Sequence, residues 1–388
     1  MSVDLILLFI SLFTWGIGEG LFFVFQPIYL GELGANTMTI AAVYSAFGAA
    51  MMVAHIPAGY LADRIGRKPL LVAAWASGLV ATWVMAFART LPVFIAGMLL
   101  YGLTAFVSSP LNSYVTAARG KLTPARAMTL MSAAFNFGAV LGPITGGWIG
   151  DQIGLRTVYF IAACLFVVST VILLFLRIQP RDHHDPFAPP AGLLTNNRFI
   201  GFLFVSFFIM FTTYLPQPLT PKFLENERGL SLSAIGLLGS INGMGNALFN
   251  LALGFLSSRL GLILVQACVA LFALLIWSGT GLGWFAMGYF ILGGYRTARA
   301  FIFAQVRSLI HSSQMGLAYG FAETFNSLAI VLAPLLAGVL YTRDPLMVYW
   351  VSLGLIGTAI LVSTIATPRD KTPLQTAVPV DIHPPPLE

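Results

Sequence analysis

The feature that most constrains this chain is a succession of long apolar runs with very little polar sequence between them. A helix needs about 20 apolar residues to cross the ~30 Å of hydrocarbon in a bilayer. Twelve runs meet that length: 5–30, 38–61, 70–88, 91–117, 127–149, 154–177, 199–218, 232–256, 260–281, 283–305, 315–341 and 346–366. Composition agrees: of 388 residues 58% are hydrophobic and 9% charged, with mean hydropathy +0.87. A soluble domain carries about 25% charged residues, so this chain has a bilayer as its solvent. Lipid offers the backbone no hydrogen-bond partner, so each run must be a helix. The expected fold is an all-α membrane protein, with twelve transmembrane helices in two six-helix bundles.

The first run starts within five residues of Met1, lacks a basic leader and a small-residue cleavage site, and reads as a retained span. Most connections are short, so consecutive helices run antiparallel. "RIQPRDHHDPFAPPAGLLTNNR", 177–198, is polar, Pro-rich and centrally placed. The expected organisation is therefore a bundle over 1–177, a cytoplasmic linker over 178–198, a second bundle over 199–366 and a disordered cytoplasmic tail over 367–388. With the N-terminus inside, inner segments hold thirteen Lys and Arg and outer ones five, while Arg296 and Arg299 fall within the tenth span. That excess places both termini in the cytoplasm of a prokaryotic inner membrane. The net charge of +6 is accounted for by these loops and implies no nucleic-acid partner.

"GYLADRIG" at 59–66 reappears as "GFLSSRLG" at 254–261, each at the inner end of the second span of its half. Parallel six-span repeats with a site between them are a transporter architecture. The first copy opens "GYLADRIGRKP", where Gly59, Asp63, Arg64, Gly66 and Arg67 gather charge at a cytoplasmic turn. Asp63 can sit at a helix N-terminus, and the bases can pair with it or with lipid phosphates. A bare topology anchor is the other reading. In the fifth span, "GAVLGPITGGWIG" at 138–150 repeats Gly138, Gly142, Gly146 and Gly150 every four residues, with Pro143 and Gly147 between. Such a stripe lets helices pack closely, and the proline kinks its helix.

The ordered set G-x-L-A-D-R-x-G-R-K resembles the loop motif of the major facilitator superfamily, and the resemblance extends over the whole chain. It implies the major facilitator fold, with the loop acting as a conformational latch against neighbouring helix ends. The second copy has Ser258 in place of the acid, which argues against a symmetric latch. G-x-x-x-G-P-x-x-G-G in the fifth span is similar to the antiporter motif of the proton-coupled drug exporters of that superfamily. Those exporters carry an Arg in span four; the matching position here, before Gly102, is Met98.

An ionisable group at mid-membrane costs about 2.5–3.5 kcal/mol on insertion scales, so those present are functional candidates. They are Glu19 in span one, Arg296 and Arg299 in span ten, and Glu323 in span eleven. They form either a proton-coupling set or a structural ion-pair set, and Glu323 is the preferred proton carrier because two arginines lie on the preceding helix. Asn242, Asn246 and Asn250 form one polar stripe in span eight. That stripe serves interhelical hydrogen bonds or substrate. Trp15, Gln26, Asn112, Asn136, Tyr214, Gln217, Tyr319 and Asn326 complete the cavity candidates.

No nucleotide loop, zinc spacing or nucleophile elbow occurs, and Cys164 and Cys268 lie inside apolar runs. The expectation is a monomeric, non-enzymatic secondary transporter without cofactor or metal. It works by alternating access and exports amphipathic or drug-like small molecules in exchange for protons. The alternative is a symporter or facilitator that takes up a small polar or anionic solute.

Overall fold

The computed structural model describes residues 2–179, 193–253, 256–310 and 315–367, with backbone alone at 55–65, 109, 124, 125, 194 and 315–317. The first half contains α1 (Val3–Phe23), α2 (Gln26–Glu32), α3 (Thr37–Ile65), α4 (Arg67–Phe87), α5 (Leu91–Leu103), α6 (Ser108–Ala118), α7 (Pro124–Ile153) and α8 (Leu155–Leu174). The second contains α9 (Asn197–Tyr214), α10 (Thr220–Asn226), α11 (Leu232–Leu253), α12 (Ser258–Ser278), α13 (Leu282–Leu292), α14 (Ala298–Leu309), α15 (Met315–Arg343) and α16 (Met347–Ala366). No strand occurs among the described residues. Most of the linker and all of the tail beyond Thr367 lie outside the described residues.

The second half repeats the order of the first. In each, a long helix is followed by a seven-residue helix with proline in its first turn: α1 and α2, α9 and α10. In each, the fourth span is broken by a 3₁₀ segment, Thr104–Val107 or Gly293–Thr297. Among the described residues, ten helices are long and apolar enough to cross a bilayer alone. The bent pair Leu91–Val107 and Pro110–Ala118, at 42°, makes an eleventh. The remaining expected span, the tenth, 283–305, is interrupted by the 3₁₀ segment Gly293–Thr297, and Arg296, Arg299 and Gln305 lower its apolarity. Corresponding breaks in two halves mark the helices that line a transporter's site.

Local sequence explains the tight connections. Gly66 and Gly154 are single-residue turns at φ 92 and 100, a left-handed conformation that glycine adopts without steric cost. They reverse the chain between α3 and α4 and between α7 and α8.

Packing centres on α7. A Cβ at Gly142 would lie 2.6 Å from Gly20 Cα, and the faces of Gly138 and Gly146 meet the α1 backbone at Phe13 and Leu21. On its other side, Pro143 and Gly147 meet α11 at Gly236 and Leu232. The stripe joins helices within one half, and the residues beside it join the halves. A second seam runs between α3 and α15, where Gly48 meets Ile330 and Gly338 meets Ala41. Along the periphery, side chains such as Val168, Phe175, Leu251 and Ile365 point outward, which is the lipid side.

The two ends of the molecule differ. At the end away from the N-terminus, one buried apolar cluster runs through both halves, including Phe25 and Tyr29 together with Phe223, Leu238 and Tyr349. At the N-terminal face the second half has a separate core, built on Phe199, Phe202, Leu262 and Ile302. The halves are thus fused by apolar packing at the opposite face.

Gly146→Leu is expected to destabilise the first half, because its side chain would enter the α1 backbone. Overpacking of this kind costs about 1–3 kcal/mol or more. Monodisperse yield after detergent extraction should fall sharply, and a wild-type elution profile would show that α1 and α7 do not touch there.

Candidate substrate cavity

A cavity of about 200 Å³ lies between the halves. Glu19 and Phe23 from α1, Tyr44 from α3, and Phe135, Asn136 and Pro143 from α7 form one wall. Tyr214 and Gln217 at the end of α9, Asn242 and Asn246 from α11, Phe272, Tyr289 and Arg296 form the other. Each wall carries one charge among aromatic and amide groups. This mix suits a ligand with a large apolar body and a few polar groups.

Among the described residues, Glu19 is the only acid lining the cavity. Its Oε2 accepts a hydrogen bond of 2.6 Å from the Tyr101 hydroxyl of α5. Trp15, one turn before it, stacks on Phe166 with centroids 3.8 Å apart and fills the space behind. Arg296 is exposed and stands on the 3₁₀ break of the second half. It lines the same cavity as the Glu19 carboxyl, from the other half.

The amides are ordered by short contacts. Asn242 Nδ2 donates to the Tyr289 carbonyl at 3.0 Å, and Asn246 Nδ2 reaches Asn136 Oδ1 at 3.4 Å across the halves. Asn250 does not line the cavity; its amide is spent on Asn246 at 2.6 Å. Gln217 donates to the Thr213 carbonyl at 2.7 Å.

The seam beside the cavity carries two polar clasps. The Ser240 hydroxyl from α11 donates to the Val140 carbonyl at 2.6 Å and accepts from Ile144 N–H at 3.1 Å. Those two groups flank Pro143, which has no N–H and disturbs the helix ladder around it. Nearer the opposite face, both Asp151 carboxylate oxygens accept from the first turn of α11, Leu232 N–H at 3.0 Å and Ser233 N–H at 2.8 Å. A carboxylate at a helix N-terminus meets unpaired donors and the positive end of the dipole.

A family model described as Major Facilitator Superfamily matches residues 6–306 and 202–384. The chain belongs to the Major Facilitator Superfamily. It is a multi-pass integral membrane transporter of small molecules, not an enzyme, and it resembles the efflux antiporters of the superfamily. It is 22% identical to Multidrug resistance protein 2 of Bacillus subtilis, over 87% of this chain and 88% of that protein. It is 24% identical to Quinolone resistance protein NorA of Staphylococcus aureus, over 88% and 90% respectively. The fold matches a single-residue variant of the nucleoside transporter NupG with a TM-score of 0.81, at 15% identity, over 94% of this chain and 100% of that one.

Within this superfamily member, the four intramembrane charges separate. Glu19 and Arg296 face the cavity, whereas Arg299 pairs with Glu323 through Nε and Oε1 outside its lining and stacks over Phe303 at 5.4 Å. Asn136, Tyr214, Gln217, Asn242 and Asn246 line the cavity; other candidates do not. Trp15 is packed behind Glu19, and Gln26 is fully buried in α2. Asn112 borders a separate surface cleft with Arg67 and Arg119. Tyr319 packs on Phe303 at 4.7 Å, and Asn326 is buried in α15. Of the expected latch, the side chains of Asp63 and Arg64, and Gly59, lie outside the described side chains. The Arg67 guanidinium donates to Gln179 Oε1 at 3.1 Å.

Tyr101, Ser240 and Asp151 were not singled out by sequence. Tyr101 had a signal, since it lies on the span that lacks the exporters' arginine. Asp151 directly follows the glycine stripe, and Ser240 is one of many hydroxyls in apolar helices.

Ser240→Ala should leave the Val140 and Ile144 groups without their partner, a loss of about 1–3 kcal/mol for buried polar groups. Combined with Asp151→Asn, it should loosen the seam. Labelling of a cysteine placed at Leu232 by a water-soluble maleimide reports this: the rate should rise in the double variant, and an unchanged rate would show that the clasps carry no weight.

Proposed function

We propose that this protein exports amphipathic small molecules across a bacterial plasma membrane in exchange for protons, with Glu19 as the proton carrier. Two bundles, 1–177 and 199–366, rock about the cavity, joined by the 178–198 linker. The excess of basic residues favours a cytoplasmic N-terminal face. The single observation that carries the reading is a carboxyl on the cavity wall at the boundary between the halves, held on one oxygen by Tyr101, with Arg296 on the wall across from it. A carboxyl in that position exchanges its proton with whichever side the cavity opens to, and its charge state alters what the cavity can bind. The glycine–proline motif and the likeness to multidrug resistance proteins support export. A site complete within one chain supports a monomer.

Glu323 is the weaker carrier, because its charge is already matched by Arg299 outside the cavity lining. Arg296 favours a second reading, uptake of an anionic solute with protons. The direction of the effective gradient separates the two.

The test is transport in proteoliposomes with a pH gradient imposed in either direction. Antiport predicts stimulation by a gradient opposed to substrate movement. Glu19→Gln should lose the response to the gradient while keeping exchange of substrate at zero gradient, and Glu323→Gln should keep both. A Glu19→Gln variant that still responds fully would exclude Glu19 as carrier, and stimulation by a parallel gradient would establish symport.

A further inference from the structure

Away from the cavity, the short helices α2 and α10 meet across the halves at the opposite face. They occupy matching places in the repeat: Pro27, Tyr29 and Leu30 correspond to Pro221, Phe223 and Leu224. Their apolar faces are buried in the core shared by the halves. Their polar edges bring together Glu32 from the first half and Lys222 and Glu225 from the second. A Cβ on Gly31 would lie 3.4 Å from Lys222 Nζ, so the ammonium rests against the α2 backbone. Lys222 and Glu225 are half-buried and Glu32 is exposed.

We propose that the α2–α10 contact is a gate that closes on taking up a proton, a protonation site separate from the cavity. Glu225 lies within the field of both Lys222 and Glu32, so with every group charged the surplus negative charge strains the contact. One added proton makes the triad neutral. When the halves part, Glu32 leaves its partners and each group regains water, so the open gate holds that proton less tightly.

The surroundings favour the carboxyls as the site. Burial pushes the Glu225 carboxyl up, Glu32 pushes it further and Lys222 pulls it partly back. Burial lowers Lys222, and Glu225 offsets part of that. The other titratable groups nearby are Tyr29 on α2, Arg156 and Tyr159 on α8, Glu227 and Arg228 after α10, and Tyr341 on α15. The sign follows from linkage. A carboxyl whose pKa is raised on closure stabilises the closed gate at low pH, and this is lost as pH rises through its closed-state pKa. One proton taken up on closure changes the closed-to-open ratio by up to about tenfold per pH unit. Because this site is separate from Glu19, the gate holds whether or not Glu19 carries the transported proton.

The test uses full-length protein in lipid nanodiscs, with Cys164→Ala and Cys268→Ala, and spin labels on Thr90→Cys and Thr280→Cys. These exposed loop positions sit at the opposite face of each half. The distance between labels is followed from pH 5 to pH 8. The short-distance population should fall severalfold as pH rises. Glu225→Gln combined with Glu32→Gln should flatten the profile in the closed form, while Glu19→Gln should keep the titration. The proposal is overturned by a wild-type profile without pH dependence, by a titration that survives the double Gln variant, or by one that Glu19→Gln abolishes. If the double variant fails to fold, Lys222→Met serves instead: leaving two carboxylates without a cation should move the titration to higher pH, and an unmoved midpoint would overturn the gate.

Discussion

Helix α7 is the element on which the rest of the structure depends. In lipid no hydrophobic force pulls one helix toward another, because the solvent is as apolar as the side chains. Close van der Waals contact and hydrogen bonds must hold the bundle. α7 supplies both. Its glycine face lets the α1 backbone approach to contact distance, which fixes the turn that carries Glu19. Its proline face takes α11 from the other half, with Ser240 at the disturbed ladder and Asp151 at the α11 N-terminus. One helix therefore positions the cavity's acid and its facing wall of Asn242 and Asn246.

The placement of charge follows from the cost of burying it. Four ionisable groups at membrane depth are each unfavourable alone. Arg299 and Glu323 neutralise one another. Glu19 and Arg296 instead stand on opposite halves, on the walls of the cavity, where both face the space a ligand would occupy. The Arg296 side comes from a 3₁₀ break, where the backbone departs from the regular helix. Its counterpart in the first half, Thr104–Val107, lies just beyond Tyr101. The repeat thus delivers a broken helix to each wall, while the side chains near the breaks differ: a phenol that holds the acid on one side, a guanidinium on the other.

Much was legible in the sequence, for reasons that lie in the bilayer. Lipid forces every crossing segment to be helical, so run length alone gave the all-helical fold. The repeated octet and the ordered loop motif pointed to the Major Facilitator Superfamily, and the family match agrees. Among the described residues, the ten crossing helices and the bent pair overlap eleven of the expected runs, and the remaining run, 283–305, carries Arg296 and Arg299.

What the sequence could not determine was which way each helix faces. In a soluble protein the polar stripe shows the outward side of a helix. Here both lipid and core are apolar, so rotation about each helix axis leaves little mark on the pattern. That is why the sequence favours Glu323 over Glu19 although Glu323 is paired off and Glu19 faces the cavity, and why Asn112 and Asn136 looked alike although only Asn136 lines it. Sequence alone determined that the chain crosses a bilayer as a repeated set of helices with costly charges inside. Tertiary packing, through the two faces of α7, decided which of those charges meet, because only backbone-to-backbone contact fixes helix rotation where the solvent is as apolar as the core.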